Sequence, residues 1–190
     1  MLRKYTRYFQ QKYRLTDYQM KQLRYLLRTL LSEISKFSLL YLLFRRQTKL
    51  FLFATFLLGL LRTVSGGLHF QTYPGCLLFS ALFYALALQI LPPCLPARFW
   101  QLSALLFCLL INYRIGAVVS NKRPSPGCRR LSRCKKNGFL LIFIFLLAIY
   151  ILPQNTYLNT GFWIILLHTL QLLWAKIRQK GGFRHALQTT

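Results

Sequence analysis

The chain has 190 residues, 55% of them hydrophobic and 16% aromatic, and its 26 Lys+Arg face only two acidic residues, Asp17 and Glu33, for a formal charge of +24. Long apolar runs joined by short polar loops exclude a single water-soluble domain, because so many all-apolar helices could not share one small core; several transmembrane helices are the expectation. The basic surplus alone would suggest nucleic acid. It is gathered instead in a head (3–28), a central loop (122–136) and a tail (176–184) beside the apolar runs, the pattern of cytoplasmic membrane edges that meet anionic lipid, so nucleic acid is set aside.

In chain order, residues 1–17 are basic and Tyr-rich, with no apolar core of a cleavable signal peptide. From Asp17, read as an N-cap, to about residue 37, apolar residues recur at Met20, Leu23, Leu26, Leu27, Leu30, Leu31 and Ile34. Lys21, Arg24 and Arg28 lie opposite them. That spacing predicts an amphipathic helix lying in the membrane interface. Apolar runs follow at 37–44 and 50–61, interrupted by Arg45, Arg46 and Lys49. The run 76–95 ends at Pro92-Pro93 and Pro96, and the run 99–119 carries Asn112 and Arg114. Pro124 and Pro126 are expected to keep the basic loop non-helical. Runs 138–152 and 161–175 read as a hairpin about residues 153–156.

These runs predict one membrane-embedded all-α domain over residues 1–190. If head, loop and tail are all cytoplasmic, even numbers of crossings separate them. Six spans result when 37–61 forms a two-span hairpin, and four when it does not. Either count puts 62–76 on the cytoplasmic side of the membrane.

Chemistry concentrates at the junction of two apolar segments, where His69 and Cys76 stand close in sequence. A cysteine attacks as the thiolate, and a nearby imidazole commonly generates one. On one continuous helix the two would be roughly 10 Å apart along the axis, too far to share a proton. Pro74-Gly75 is expected to turn the chain there, so that Cys76 opens the next helix. Gly66 and Gly67 leave room for an approaching peptide or an oxyanion, and Arg62 can hold a carboxylate or phosphate. No acid is at hand to orient His69; Gln71 or Asn112 are the amides available. Lys122 and Arg123 are expected to draw an acidic peptide towards the membrane. On spacing alone, a histidine and a cysteine near a helix end are more often structural than catalytic.

The five cysteines (76, 94, 108, 128 and 134) form no metal-like pair, and neither a disulfide framework, a metal nor a cofactor is expected. His168, beside Thr169 and Gln171 in the last apolar run, reads as an interhelical hydrogen bond. Arg114 is expected to snorkel to the interface, and Trp100, Trp163 and Trp174 to mark span ends.

The series Arg62-Thr63-x-x-Gly66-Gly67-x-His69, then Cys76 and Ser80, resembles the signature of the accessory gene regulator B (AgrB) family, membrane peptidases of bacterial quorum sensing. The stretch from Gly116 through Asn121, Lys122 and Arg123 to Pro124 is similar to a second family loop. The resemblance implies that Cys76 and His69 are the catalytic pair, with Arg62, Gly66, Gly67, Ser80, Lys122 and Arg123 supporting. It implies cleavage of a small amphipathic precursor peptide (AgrD-like) on the cytoplasmic side through an acyl-enzyme, closing a thiolactone or lactone. Anionic lipid is the other expected partner, and self-association stays open. The alternative is a non-enzymatic membrane exporter or scaffold for a small peptide.

Overall fold

The computed structural model describes residues 16–66, 72–94, 97–116 and 128–188, which form helices and no strand. Helices are what a bilayer demands, since lipid offers backbone groups no hydrogen-bond partner. The chain divides into two compact units, one ending at Arg45 and one beginning at Arg46.

The first unit is helix α1, Asp17–Leu43. It begins one residue earlier than a cap at Asp17 implies: Thr16 is the flanking residue, and its carbonyl accepts the Met20 N–H at 2.9 Å. Leu23, Leu27, Leu30, Leu31 and Ile34 stay exposed, the uncovered stripe that an interfacial helix presents to lipid. Glu33 pairs with Lys36 one turn on. The apolar run 37–44 is not separated from this helix but forms its last turns, with Phe37 and Tyr41 stacked at 6.4 Å.

A 3-10 turn, Arg45–Gln47, leads into the second unit and its first helix, α2 (Thr48–Ser65). Then come α3 (Tyr73–Ala85), continued by a π-helical turn (Leu86–Ile90), α4 (Arg98–Ile115), α5 (Cys128–Ile151) and α6 (Thr156–Gln188). Among the described residues, four helices are long and apolar enough to cross a membrane: Arg45–Ser65, Tyr73–Ile90, Leu131–Ile151 and Thr156–Arg178. The number is the lower of the two expected, but the set differs: the expected four left out 37–61 and included 99–119, whereas here α2 qualifies and α4 does not. Helix α4 has the same 18 residues as α2 and packs along α5 and α6. Its hydropathy is lowered by polar residues that turn inward: Gln101 and Asn112 are buried.

Side-chain contacts give each helix its direction. Against α6, helix α2 pairs Phe53 with Tyr157 (ring centroids 5.5 Å apart) and Ser65 with His168 (2.7 Å), so the two run parallel. Helix α4 also runs parallel to α6, through Gln101–Gln154 at 3.2 Å and Asn112–Thr169 at 2.8 Å. Helix α5 runs back against α4, with Phe139 beside Tyr113 at 5.9 Å and the Arg98 guanidinium on the Ile149 and Leu152 carbonyls. Helix α3 returns against α2, its Tyr84 meeting Phe51 at 5.0 Å. Thus one end of the bundle collects the end of α2, the start of α3, the end of α4, the start of α5 and the later turns of α6. The Pro92 turn, the start of α4 and the 153–155 hairpin lie at the other.

Helix α6 is central, with over half of its span buried against a third or less for the other three candidate spans. It carries most of the bundle's buried polar side chains: Asn159, Thr160, His168, Thr169 and Gln171. Asn155 caps it, its side-chain oxygen accepting the Leu158 N–H at 2.8 Å.

Two local expectations are corrected. Cys128–Ile151 is one helix, so the basic segment after residue 128 is helical and not loop; Pro124 and Pro126 lie outside the described residues. The chain also re-enters helix at Tyr73 rather than at Cys76, with Pro74 inside the first turn. Proline is tolerated there because the N–H it lacks would be unsatisfied in any case.

Candidate functional site

Thr72, extended at φ −102° and ψ 141°, turns the chain into α3. Cys76 closes the first turn, its N–H donating to the Thr72 carbonyl at 3.1 Å. It is partly exposed and not disulfide-bonded. Ser80 follows one turn on, also partly exposed, and helical spacing puts it on the same face.

Across the junction, α2 ends at Gly66, whose φ of 78° lies where only glycine is unstrained. Its N–H donates to the Arg62 carbonyl at 3.0 Å. Arg62, in the last turn, is half-buried with its Nε unpartnered, and its charge reaches both His168 and Tyr84. Ser65 donates its hydroxyl proton to the Leu61 carbonyl at 2.6 Å and lies 2.7 Å from His168 Nε2. With that proton committed, His168 Nε2–H must be the donor to Ser65, leaving the buried Nδ1 as an unpartnered acceptor.

The sequence-selected residues Arg62, Gly66, Cys76 and Ser80 therefore share one end of the bundle. Gly67, His69, Gln71, Lys122 and Arg123 lie outside the described residues. Asn112 is not free to orient an imidazole through its NH2, which serves the Cys108 carbonyl and Thr169, both at 2.8 Å. His168 does make the interhelical bond expected of it. Its partner Ser65 was passed over, as was the buried, unpaired amide of Gln171. The only sequence signal for either is a polar residue in an apolar run.

Among the described residues of the second unit, the same end carries most of the charge. Arg62, Arg114, Arg133, Lys135, Lys136, Lys176 and Arg178 all lie there, Lys135 over the Tyr113 ring at 4.2 Å and Arg178 over the Trp174 ring at 4.8 Å. Arg46, Lys49 and Arg98 lie at the opposite end. Both acidic residues of the chain precede Arg45, so nothing acidic in the second unit offsets these cations.

The profile of the family described as Accessory gene regulator B matches residues 2–172. The chain belongs to the accessory gene regulator B family. Among curated relatives, a protein of Clostridium beijerinckii named as AgrB-like is 30% identical over 139 residues, covering 71% of this chain and 68% of its own length. No solved structure matches. Membership places the chain in the accessory gene regulator quorum-sensing system and links it to that system's small precursor peptide. The four candidate spans make it a membrane protein.

Proposed function

We propose that this protein is a membrane-embedded cysteine endopeptidase, with Cys76 as nucleophile and His69 as general base and then acid. Its substrate is the small precursor peptide, cut near its C-terminal part and closed into a ring. The observation that carries the reading is the place of Cys76: a partly exposed thiol in the first turn of α3, at the bundle end that also holds Arg62, Gly66 and the cations.

In the proposed reaction His69 takes the thiol proton and the sulfur attacks the scissile carbonyl carbon. The tetrahedral intermediate collapses with cleavage of the C–N bond, and the imidazolium returns the proton to the leaving amine. A thioester joins the peptide to Cys76 and conserves the energy of the amide bond. An internal thiol or hydroxyl of the peptide, its proton taken by His69, then attacks that thioester, closing a thiolactone or lactone and releasing the Cys76 thiolate, which the imidazolium reprotonates. Ring closure needs water kept out, which apolar helix walls favour. The backbone at Gly66 and Gly67 would let the oxyanion approach N–H groups, and Arg62 would hold a carboxylate.

The excess of cations at the Cys76 end supports a cytoplasmic active site, by the bias of Lys and Arg towards that side. Lys122 and Arg123 belong to the connection between α4 and α5, whose flanks lie at this end. They would attract an acidic peptide tail and an anionic leaflet alike.

The test is the mass of the precursor co-expressed with each variant. Cys76→Ala should abolish both cleavage and the covalent peptide adduct, a loss on the order of 10³-fold or more, while the protein still inserts. Cys76→Ser should be nearly dead, because a serine hydroxyl carries almost no anion at neutral pH. His69→Ala should be severely impaired. Normal cleavage by Cys76→Ala would end the peptidase reading in favour of an exporter or scaffold.

A further inference from the structure

Helix α3 leaves the rest of the bundle at its Cys76 end. It meets α6 chiefly through the π turn Leu86–Ile90 and α2 through Tyr84, which bonds to Thr55 and meets the Phe51 ring at a tilt of 57°. Between the splayed helices lies a cavity of about 220 Å³. Phe79, Leu82, Phe83 and Leu86 line it from α3, and Leu167, Leu170, Gln171 and Trp174 from α6. Each set is spaced i, i+3, i+4, i+7, one full helix face. Phe79 and Phe83 continue the face that carries Cys76, so the cleft runs away from the thiol.

One lining residue does not belong in an apolar seam. Gln171 is 4% exposed, and neither its Nε2 nor its Oε1 has a hydrogen-bond partner. Unmade hydrogen bonds of a buried amide are costly, and lipid cannot make them. An unpaired side-chain amide matches one thing closely: a peptide backbone, which offers a carbonyl and an N–H side by side. A lipid tail has neither. A membrane helix of a second copy has already used its backbone groups within itself. The mouth adds charge selection, because Trp174 lines the cleft and Arg178 sits on its ring at 4.8 Å, and the second unit contains no acidic residue.

We propose that the seam between α3 and α6 binds the precursor peptide in an extended form, the apolar residues beside its scissile bond filling the cavity and the Gln171 amide, buried behind the seam's apolar wall, turning out to pair with its backbone. The volume lies below the roughly 300–1,000 Å³ of small-molecule sites, room for one or two apolar side chains and not for a helix. Residues closer to the peptide's acidic end lie towards Arg178. The proposal rests on the peptidase reading for the identity of the peptide, but it concerns binding, which does not need the thiol.

The experiment therefore uses the full chain carrying Cys76→Ala, in membranes, with the precursor co-expressed. A photo-crosslinking amino acid replaces Leu82 or Leu170 in the cleft, or Leu106 or Ile144 on α4 and α5 as controls; all four are 54–56% exposed. Crosslinks to the precursor at Leu82 and Leu170, about tenfold above the controls, are expected. Equal labelling at all four positions, or labelling at the cleft of phospholipid alone or of a second copy of the chain, would overturn the proposal. In the protein with its thiol intact, Gln171→Leu should raise the KM for the precursor on the order of tenfold. Its Tm should hold or rise, since an unpaired buried amide is removed. An unchanged KM, or a lowered Tm revealing that Gln171 is paired within the fold, would count against the proposal. Cleft crosslinks together with continued cleavage by Cys76→Ala would keep the peptide cleft and remove the nucleophile.

Discussion

Gly161 stands where α2, α5 and α6 meet, and an added Cβ would lie 2.2 Å from Phe145 Cζ, 2.6 Å from Phe145 Cε2 and 3.3 Å from Leu57 Cδ2. For Gly161→Ala, the Phe145 ring must retreat by more than about 1 Å to reach ordinary carbon–carbon contact near 3.5 Å. Leu57, buried on α2, blocks an escape of α6 in that direction. Overpacking of this kind costs about 1–3 kcal/mol. In water roughly 1 kcal/mol would return, because alanine is the better helix former. In a bilayer that gain largely cancels, since separated helices stay helical and the preference acts in both states. Only the far edge of a ring must yield, so the expected net loss is about 1–2 kcal/mol. Gly59, with nothing within 4 Å of its added Cβ, is the control: Gly59→Ala should stay within about 0.5 kcal/mol of the parent. The assay is equilibrium unfolding in mixed micelles or bicelles, following the α2–α6 contact. Adding Phe145→Leu to Gly161→Ala should restore at least half of the loss. Equal stability of Gly161→Ala and Gly59→Ala would refute the packing argument.

Ser65→Ala should cost about 0.5–1.5 kcal/mol, the range of an interhelical hydrogen bond in membranes, because it strips His168 of its partner; no change in the same unfolding assay would mean the bond is not made in the bilayer. Cys94, exposed in the turn after α3, should react with an impermeant maleimide in intact cells, while Cys76 and Cys134 at the opposite end stay shielded; strong external labelling of Cys134 would invert the orientation. Processing should weaken as salt rises, since exposed charges are screened beyond about 10 Å at 0.1 M. Neutralising Lys122 and Arg123 should raise KM more than it lowers kcat; an unchanged KM would leave those residues to membrane anchoring.

Much of the architecture was legible because a bilayer enforces simple rules. Apolar length reveals which segments are helical and long enough to cross, since no other backbone form satisfies itself in lipid. Helix ends were less legible. Pro124 and Pro126 suggested a loop through the whole basic stretch, but a proline acts on the few residues around it, and nothing after Cys128 opposes a helix. Pro74 suggested a turn at a point where the fold uses it as a first-turn residue. Both errors come from reading proline as a breaker without its position in the helix.

The sequence by itself determined the membrane class, the basic edges and the motif from Arg62 to Ser80, because composition and short-range spacing are properties of the chain alone. The tertiary structure decided which way the polar residues of apolar spans face. Gln101, Asn112, His168 and Gln171 lower hydropathy equally whether they meet lipid or a neighbouring helix; only packing turned them inward, gave Asn112 to Thr169 and His168 to Ser65, and left Gln171 unpaired. It also brought the end of α2, the start of α3 and the basic start of α5 to one end of the bundle. Hydropathy marks the segments but not their neighbours, and neighbourhood arises from side chains meeting across helices far apart in sequence.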